Sequence, residues 1–203
     1  MKTKVLRWLP AACLAATILV TATLAPGVSH PAPPLAGSGS DFSPYVTKDG
    51  GISLPTDYRD KFMHLGSWAV ASKSNQSVHE LHHVYARAED VQAYRRDGKF
   101  PDGAVLVKEV TNVGSDRLTT GQASWSTGIR IWFMMVKDAK GRFPKNDLWG
   151  DGWGWALFEA KDPKRNVATD YRTDCKTCHV PARKDDWLYV RGYPALAKHT
   201  SPK

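Results

Sequence analysis

The segment DCKTCHVP, Asp174 to Pro181, puts two thiols and an imidazole within five consecutive positions. Such a cluster can grip a metal, cycle a disulfide or hold a haem. Positions 175, 178 and 179 are i, i+3 and i+4, so on one helical turn their side chains share a face. Cys175 and Cys178 can then add to the two vinyl groups on one porphyrin edge, while His179 reaches under the ring to the iron. C-x-x-C-H is the attachment signature of c-type haem. Thr173 or Asp174 is placed to cap the turn. The competing chemistries fit less well. A redox C-x-x-C expects a thioredoxin-like βαβ setting, whereas this pair follows the strands, near the end of the chain. A structural zinc expects four ligands, and the sequence has no second such pair. The reading is one covalent haem c per chain, with His179 as the metal ligand.

The sixth iron position decides what the haem does. No methionine follows His179, which leaves Met63, Met134 and Met135 as sulfur candidates. In IRIWFMMVK, Ile129, Ile131, Phe133 and Met135 share one side, and Trp132, Met134 and Val136 the other. Both sides are apolar, so the methionines read as core filling rather than as ligands. The histidines outside the motif, His64, His79, His82, His83 and His199, read as surface or structural rather than axial. His82 and His83 adjoin on a strand, which turns one of them inward and makes it the candidate for a distal role. Lys108 is the odd residue of AVLVKEV. Ala104, Leu106, Lys108 and Val110 share one face, and Val105, Val107 and Glu109 the other. A lysine on an apolar face either snorkels to an edge or, when buried, loses its charge and becomes a nucleophile. The pattern alone favours snorkelling.

These groups need a scaffold. LPTDYRDKFMHLG reads as a short helix, with Thr56 as N-cap, Phe62 and Leu65 on one face, and Gly66 as its stop. SWAVAS and VHELHHVYA read as strands, RAEDVQAYRRDG as a helix ending at Gly98, and FPDGAVLVKEV, GIRIWFMMVKD and GWGWALFEA as further strands. The alternating glycine and tryptophan of the last mark a strand that something bulky approaches closely. GDGWGW is no phosphate loop, because bulky Trp153 and Trp155 oppose close backbone approach. The short connections dictate antiparallel pairing. The expected class is α+β, a mainly antiparallel β-sheet with a few short helices packed over a covalently bound haem.

The first residues set the compartment. MKTKVLR carries three positive charges and an apolar run follows. Residues 1–25 therefore read as a secretory signal peptide and the protein as periplasmic or otherwise exported. Residues 26–53, rich in proline, glycine and serine, read as a flexible lead-in, and 54–203 as the haem domain. Loss of Lys2, Lys4 and Arg7 takes 28 basic residues to 25 against 20 acidic, a formal charge of +5. Spread through the chain rather than clustered, that charge gives no nucleic-acid surface and permits docking to an acidic redox partner. Signal removal leaves no membrane span. Cys13 leaves too, so no disulfide framework holds the fold.

The late DCKTCH, the strand FPDGAVLVKEV, the later VKD and the aromatic GWGWALFEA together resemble cytochrome P-460 and its relative cytochrome c′-beta. The likeness runs from about Leu54 to Tyr193. It implies an antiparallel sheet over haem, His179 as sole protein axial ligand, and an open distal side. In the cytochromes P-460 a lysine, matched here by Lys108, is bonded to the porphyrin and the protein oxidises hydroxylamine. The c′-beta members bind nitric oxide or related small ligands in an apolar distal pocket. Two positions depart from the hydroxylamine-oxidising pattern. Anchored on VKD, the place of the distal glutamate falls near Phe133, and that of a distal arginine near His82. A phenylalanine takes no proton, and losing a general base is typically worth about 10²–10⁴ in rate. Glu159, on the tryptophan-rich strand, is the substitute the sequence suggests.

The leading expectation is a mono-haem cytochrome whose five-coordinate iron binds nitric oxide and exchanges electrons with a redox partner protein. Phe133 and His82 then line the distal side. One alternative is a hydroxylamine-oxidising enzyme with Lys108-crosslinked haem and Glu159 as base. Another is a six-coordinate electron carrier. A second copy of the chain, in a homodimer, is a further candidate partner.

Overall fold

Alternation of apolar residues on successive strands builds one antiparallel sheet, and the shortness of its connections fixes the pairing. The computed structural model describes residues 42–197; the signal peptide expected over 1–25 lies outside the described residues, as does most of the lead-in. The strands are β1 (Phe62–Ala71), β2 (Val78–Arg87), β3 (Val105–Leu118), β4 (Gly121–Lys137), β5 (Trp149–Gly150), β6 (Trp153–Glu159) and β7 (Asp162–Asn166). Among the described residues they form a seven-stranded sheet in the order β1-β2-β3-β4-β6-β5, with β7 also paired to β6. Every pair is antiparallel. Two short helices, α1 (Tyr58–Lys61) and α2 (Ala88–Asp97), flank β1 and β2. This is the expected mainly antiparallel architecture.

Both faces of the sheet are covered, which is why β3 and β4 carry apolar residues on both sides. On one face Leu106, Met135 and Trp155 pack with Val91 of α2 and with Cys175 and Leu188 of the C-terminal segment. On the other, Val105, Val107, Met134 and Val136 pack with Val46 and Phe62. The period-2 split of Met134 and Met135 thus sends them into different cores. In β6 the close approach read from the sequence is real: a Cβ on Gly154 would lie 2.6 Å from the Trp149 ring.

Three elements differ from the sequence reading. The helix expected over 54–66 is a single turn, Tyr58–Lys61, and Phe62 opens β1. Phe62 and Leu65 suit either period, and pairing with β2 (Phe62 opposite Arg87) decides for strand. Gly66 is therefore no helix stop; it lies in β1, where an added Cβ would clash with the carbonyl oxygen of Gly192. The second core also draws on residues upstream of Leu54, since Val46 and Ile52 bridge one another and are buried in it. Finally, β3 and β4 run on past Val110 and Gly128 as a polar two-stranded ribbon that closes at Leu118–Gly121.

Candidate haem site

Residues 171–179 form one helical run, π-helical over Arg172–Lys176 and α-helical over Thr177–His179. Its cap is shared. Asp170 Oδ1 accepts the Arg172 N–H at 2.8 Å, and Asp174 Oδ2 reaches back to the N–H groups of Thr169 (2.7 Å) and Asp170 (3.2 Å). Thr173 plays no such part; its hydroxyl donates to the Asp170 carbonyl. The run holds Cys175 in the core and leaves Cys178 and His179 at the mouth of a cleft.

His179 is oriented from three sides. Its Nδ1 lies 2.6 Å from the carbonyl oxygen of Trp187. A carbonyl only accepts, so Nδ1 carries the proton and Nε2 keeps its lone pair. The ring stands edge-on to Trp155, centroids 5.0 Å apart, and tilted to Tyr189 at 6.0 Å. Burial holds the imidazole below its ordinary range, against the opposing pull of the Trp187 bond. A neutral imidazole is the form that binds metal. The Cys175 thiol is pushed up to about 12, first by burial and then by the neighbouring charges of Asp174 and Cys178. That is the opposite of an activated redox or zinc-binding thiolate.

The cleft has two lobes that share Lys108, Phe133, Cys178, His179 and Tyr193. The inner lobe, about 160 Å³, is walled by Val84, Leu106, Met135, Trp155 and Leu188. The outer lobe, about 450 Å³, has apolar walls of Trp68, Val70 and Ile131, and a polar end. That end is Glu80, His82 and Arg130. Glu80 is paired to Arg130 and accepts from His82 Nε2 at 3.0 Å. Burial alone would raise the Glu80 carboxyl, but the His82 bond and the Arg130 charge outweigh it and hold it below the usual carboxylate range. His82 is itself held below its ordinary range, chiefly by burial.

Of the residues singled out from the sequence, Cys175, Cys178, His179, Lys108, Phe133 and His82 all border this cleft. Lys108 is opposite Phe133 across β3 and β4, with Nζ 4.3 Å from the ring centroid. Among the described residues it has no carboxylate partner, and burial lowers its pKa from the ordinary lysine value. Glu159 is elsewhere: it does not border the cleft, and it pairs with Lys161 at 2.7 Å. The carboxylate at the cleft is Glu80, which sequence reasoning passed over. Its i, i+2 relation to His82 puts both on one face of β2 and was the available signal. Arg130 was not readable that way. It is the extra residue of a bulge, between the pairs Val110–Ile131 and Thr111–Ile129, and a bulge re-aims its side chain.

The donor set fits a covalent haem: two cysteines unpaired with each other, one imidazole with a free Nε2, and a largely apolar cleft between them and the sheet. The Cytochrome P-460 family model matches residues 55–190, well over half of the chain. The chain belongs to the cytochrome P-460 family. Members of this family typically carry c-type haem, and Cys175, Cys178 and His179 are the residues of this chain that would hold it. No match to a curated protein was found. Among the described residues no helix is long and apolar enough to cross a membrane.

Proposed function

We propose that this cytochrome P-460 family member is an exported mono-haem c protein whose iron keeps one open position and binds a small nitrogen oxide, nitric oxide in the first instance. The observation that carries the reading is the state of the groups that could close that position. His82 borders the cleft, but its Nε2 is engaged by Glu80. Met135 walls the inner lobe but is buried between Leu106 and Trp155, Met134 packs in the core on the other face, and Met63 borders neither lobe. Over the outer lobe, beside Lys108, Phe133 presents an apolar ring that favours a small neutral ligand. The bound haem supplies an iron with one free coordination site. The protein's part is to orient the imidazole, exclude water with Leu106, Phe133 and Trp155, and admit a diatomic ligand past Ile131.

A second reading rests on Lys108 and Glu80, which border the same cleft. A buried amine of lowered pKa is a nucleophile, and Glu80 restores the proton acceptor that Phe133 cannot provide. Those groups suit hydroxylamine oxidation with a lysine-linked macrocycle.

The optical spectrum of the ferrous protein, with and without nitric oxide, tests the choice. The proposal expects an ordinary high-spin five-coordinate spectrum that converts stoichiometrically on adding nitric oxide. A strongly red-shifted Soret band, with a haem peptide containing Lys108, would establish the second reading instead. A low-spin six-coordinate spectrum would overturn both.

A further inference from the structure

The VKD segment contributes nothing to the cleft wall through Lys137, yet Lys137 is tied to the part of the chain that holds the imidazole. We infer that the Lys137–Asp186 ion pair is a positioning device for the axial histidine, acting through the Trp187 carbonyl. The inference rests on His179 being the iron ligand.

The geometry starts from backbone strain. Asp186 (φ 58°) and Trp187 (φ 67°) are consecutive non-glycine residues in the left-handed region. That region is disfavoured for any L residue and is an outlier for one as bulky as tryptophan. Such a turn persists only where its surroundings hold it. Lys137 Nζ contacts both carboxylate oxygens of Asp186 at 2.7 Å. The Asp186 carbonyl accepts from Trp153 Nε1 at 3.1 Å, and the Trp187 N–H donates to the Ala182 carbonyl at 3.0 Å. Lys137 is itself fixed, lying opposite Trp153 in the sheet with Nζ 4.7 Å from that ring's centroid. Its side chain is 13% exposed and that of Asp186 33%, so the pair is partly shielded from solvent, and its double contact fixes the turn more firmly than a fully exposed bridge would.

The turn so held presents the Trp187 carbonyl to His179 Nδ1. A stronger acceptor at Nδ1 makes the imidazole a better donor at Nε2. One strut from the end of β4 therefore sets how strongly the proximal side pushes electron density towards the metal.

The test is resonance Raman of the ferrous holoprotein, with potentiometry, on wild type, Lys137→Met, Asp186→Asn and Asp186→Gly. Asp186→Gly relieves the left-handed strain while deleting the pair, so it keeps the experiment usable should the other variants fold poorly. The inference expects the iron–imidazole stretching band to move to lower frequency and the reduction potential to rise in every folded variant. If band and potential stay at wild-type values while only thermal stability changes, the pair is merely structural and the inference is wrong. A wild-type ferrous protein that is high-spin and five-coordinate yet lacks that band overturns the assignment of His179 as well, whereas a low-spin six-coordinate spectrum counts against the open-site reading instead.

Discussion

Lys108 and Phe133 face one another across β3 and β4, with the amine 4.3 Å from the ring centroid. An ammonium in that position loses part of its water and is given a ring in place of a carboxylate. Between its lowered pKa and that of the unfolded chain, the unfolded state binds more protons, so stability rises with pH across that window. Below the lowered value the fold bears the full penalty. Lys108→Met is therefore expected to be more stable than wild type at neutral pH, by about 1–3 kcal/mol, and to lose the alkaline gain. Thermal melts across a pH series check both.

Glu80→Gln separates the two functional readings. The carboxylate stabilises the fold above the unfolded carboxyl pKa, and that contribution is lost as pH falls through its lowered folded value. Nitric oxide affinity at neutral pH should change little, because no proton moves. Any hydroxylamine oxidation should fall by about 10²–10⁴. Stopped-flow binding and steady-state turnover read the two effects independently.

On the far face of the sheet, Glu109 is buried and accepts from Tyr58 Oη, from Arg59 at 2.9 Å and from Tyr85 at 3.3 Å, while Trp132 Nε1 donates to Tyr58 at 3.0 Å. Tyr58→Phe leaves part of this network unpaired and is expected to cost about 1–3 kcal/mol. Denaturant unfolding measures it. The cleft lies on the other face, so ligand affinity should not change.

Gly154→Ala drives a methyl into the Trp149 ring. Overpacking of this kind costs about 1–3 kcal/mol, or roughly 2–4 °C of melting temperature per kcal/mol in a domain of this size. Differential scanning calorimetry gives the value.

Much of the site could be read from the chain because its logic is local. The i, i+3, i+4 spacing puts Cys175, Cys178 and His179 on one turn, and strand alternation puts Lys108 and Leu106 on the same face, whatever the rest of the fold does. The parts that escaped depend on tertiary pairing. Glu80 and Arg130 are fifty positions apart on strands that do not neighbour each other, and a bulge brings Arg130 round. Phe62–Ala71 read partly as helix until β2 supplied its hydrogen-bond partners. The polar stretch from Thr111 to Gly128 has no apolar period, so its ribbon could not be told from a loop. The left-handed Asp186–Trp187 turn carries no glycine, the one sequence mark such a turn normally shows.

The central claim is a haem joined to this chain by two thioethers at Cys175 and Cys178. Acid–acetone extraction of protein matured in a host with c-type haem assembly, followed by intact mass, tests it most directly. The prediction is that the colour stays with the protein, the mass exceeds that of the bare polypeptide by one haem, and Cys175→Ala with Cys178→Ala abolishes both. Colour that leaves with the solvent, or a mass equal to the bare chain, would contradict it.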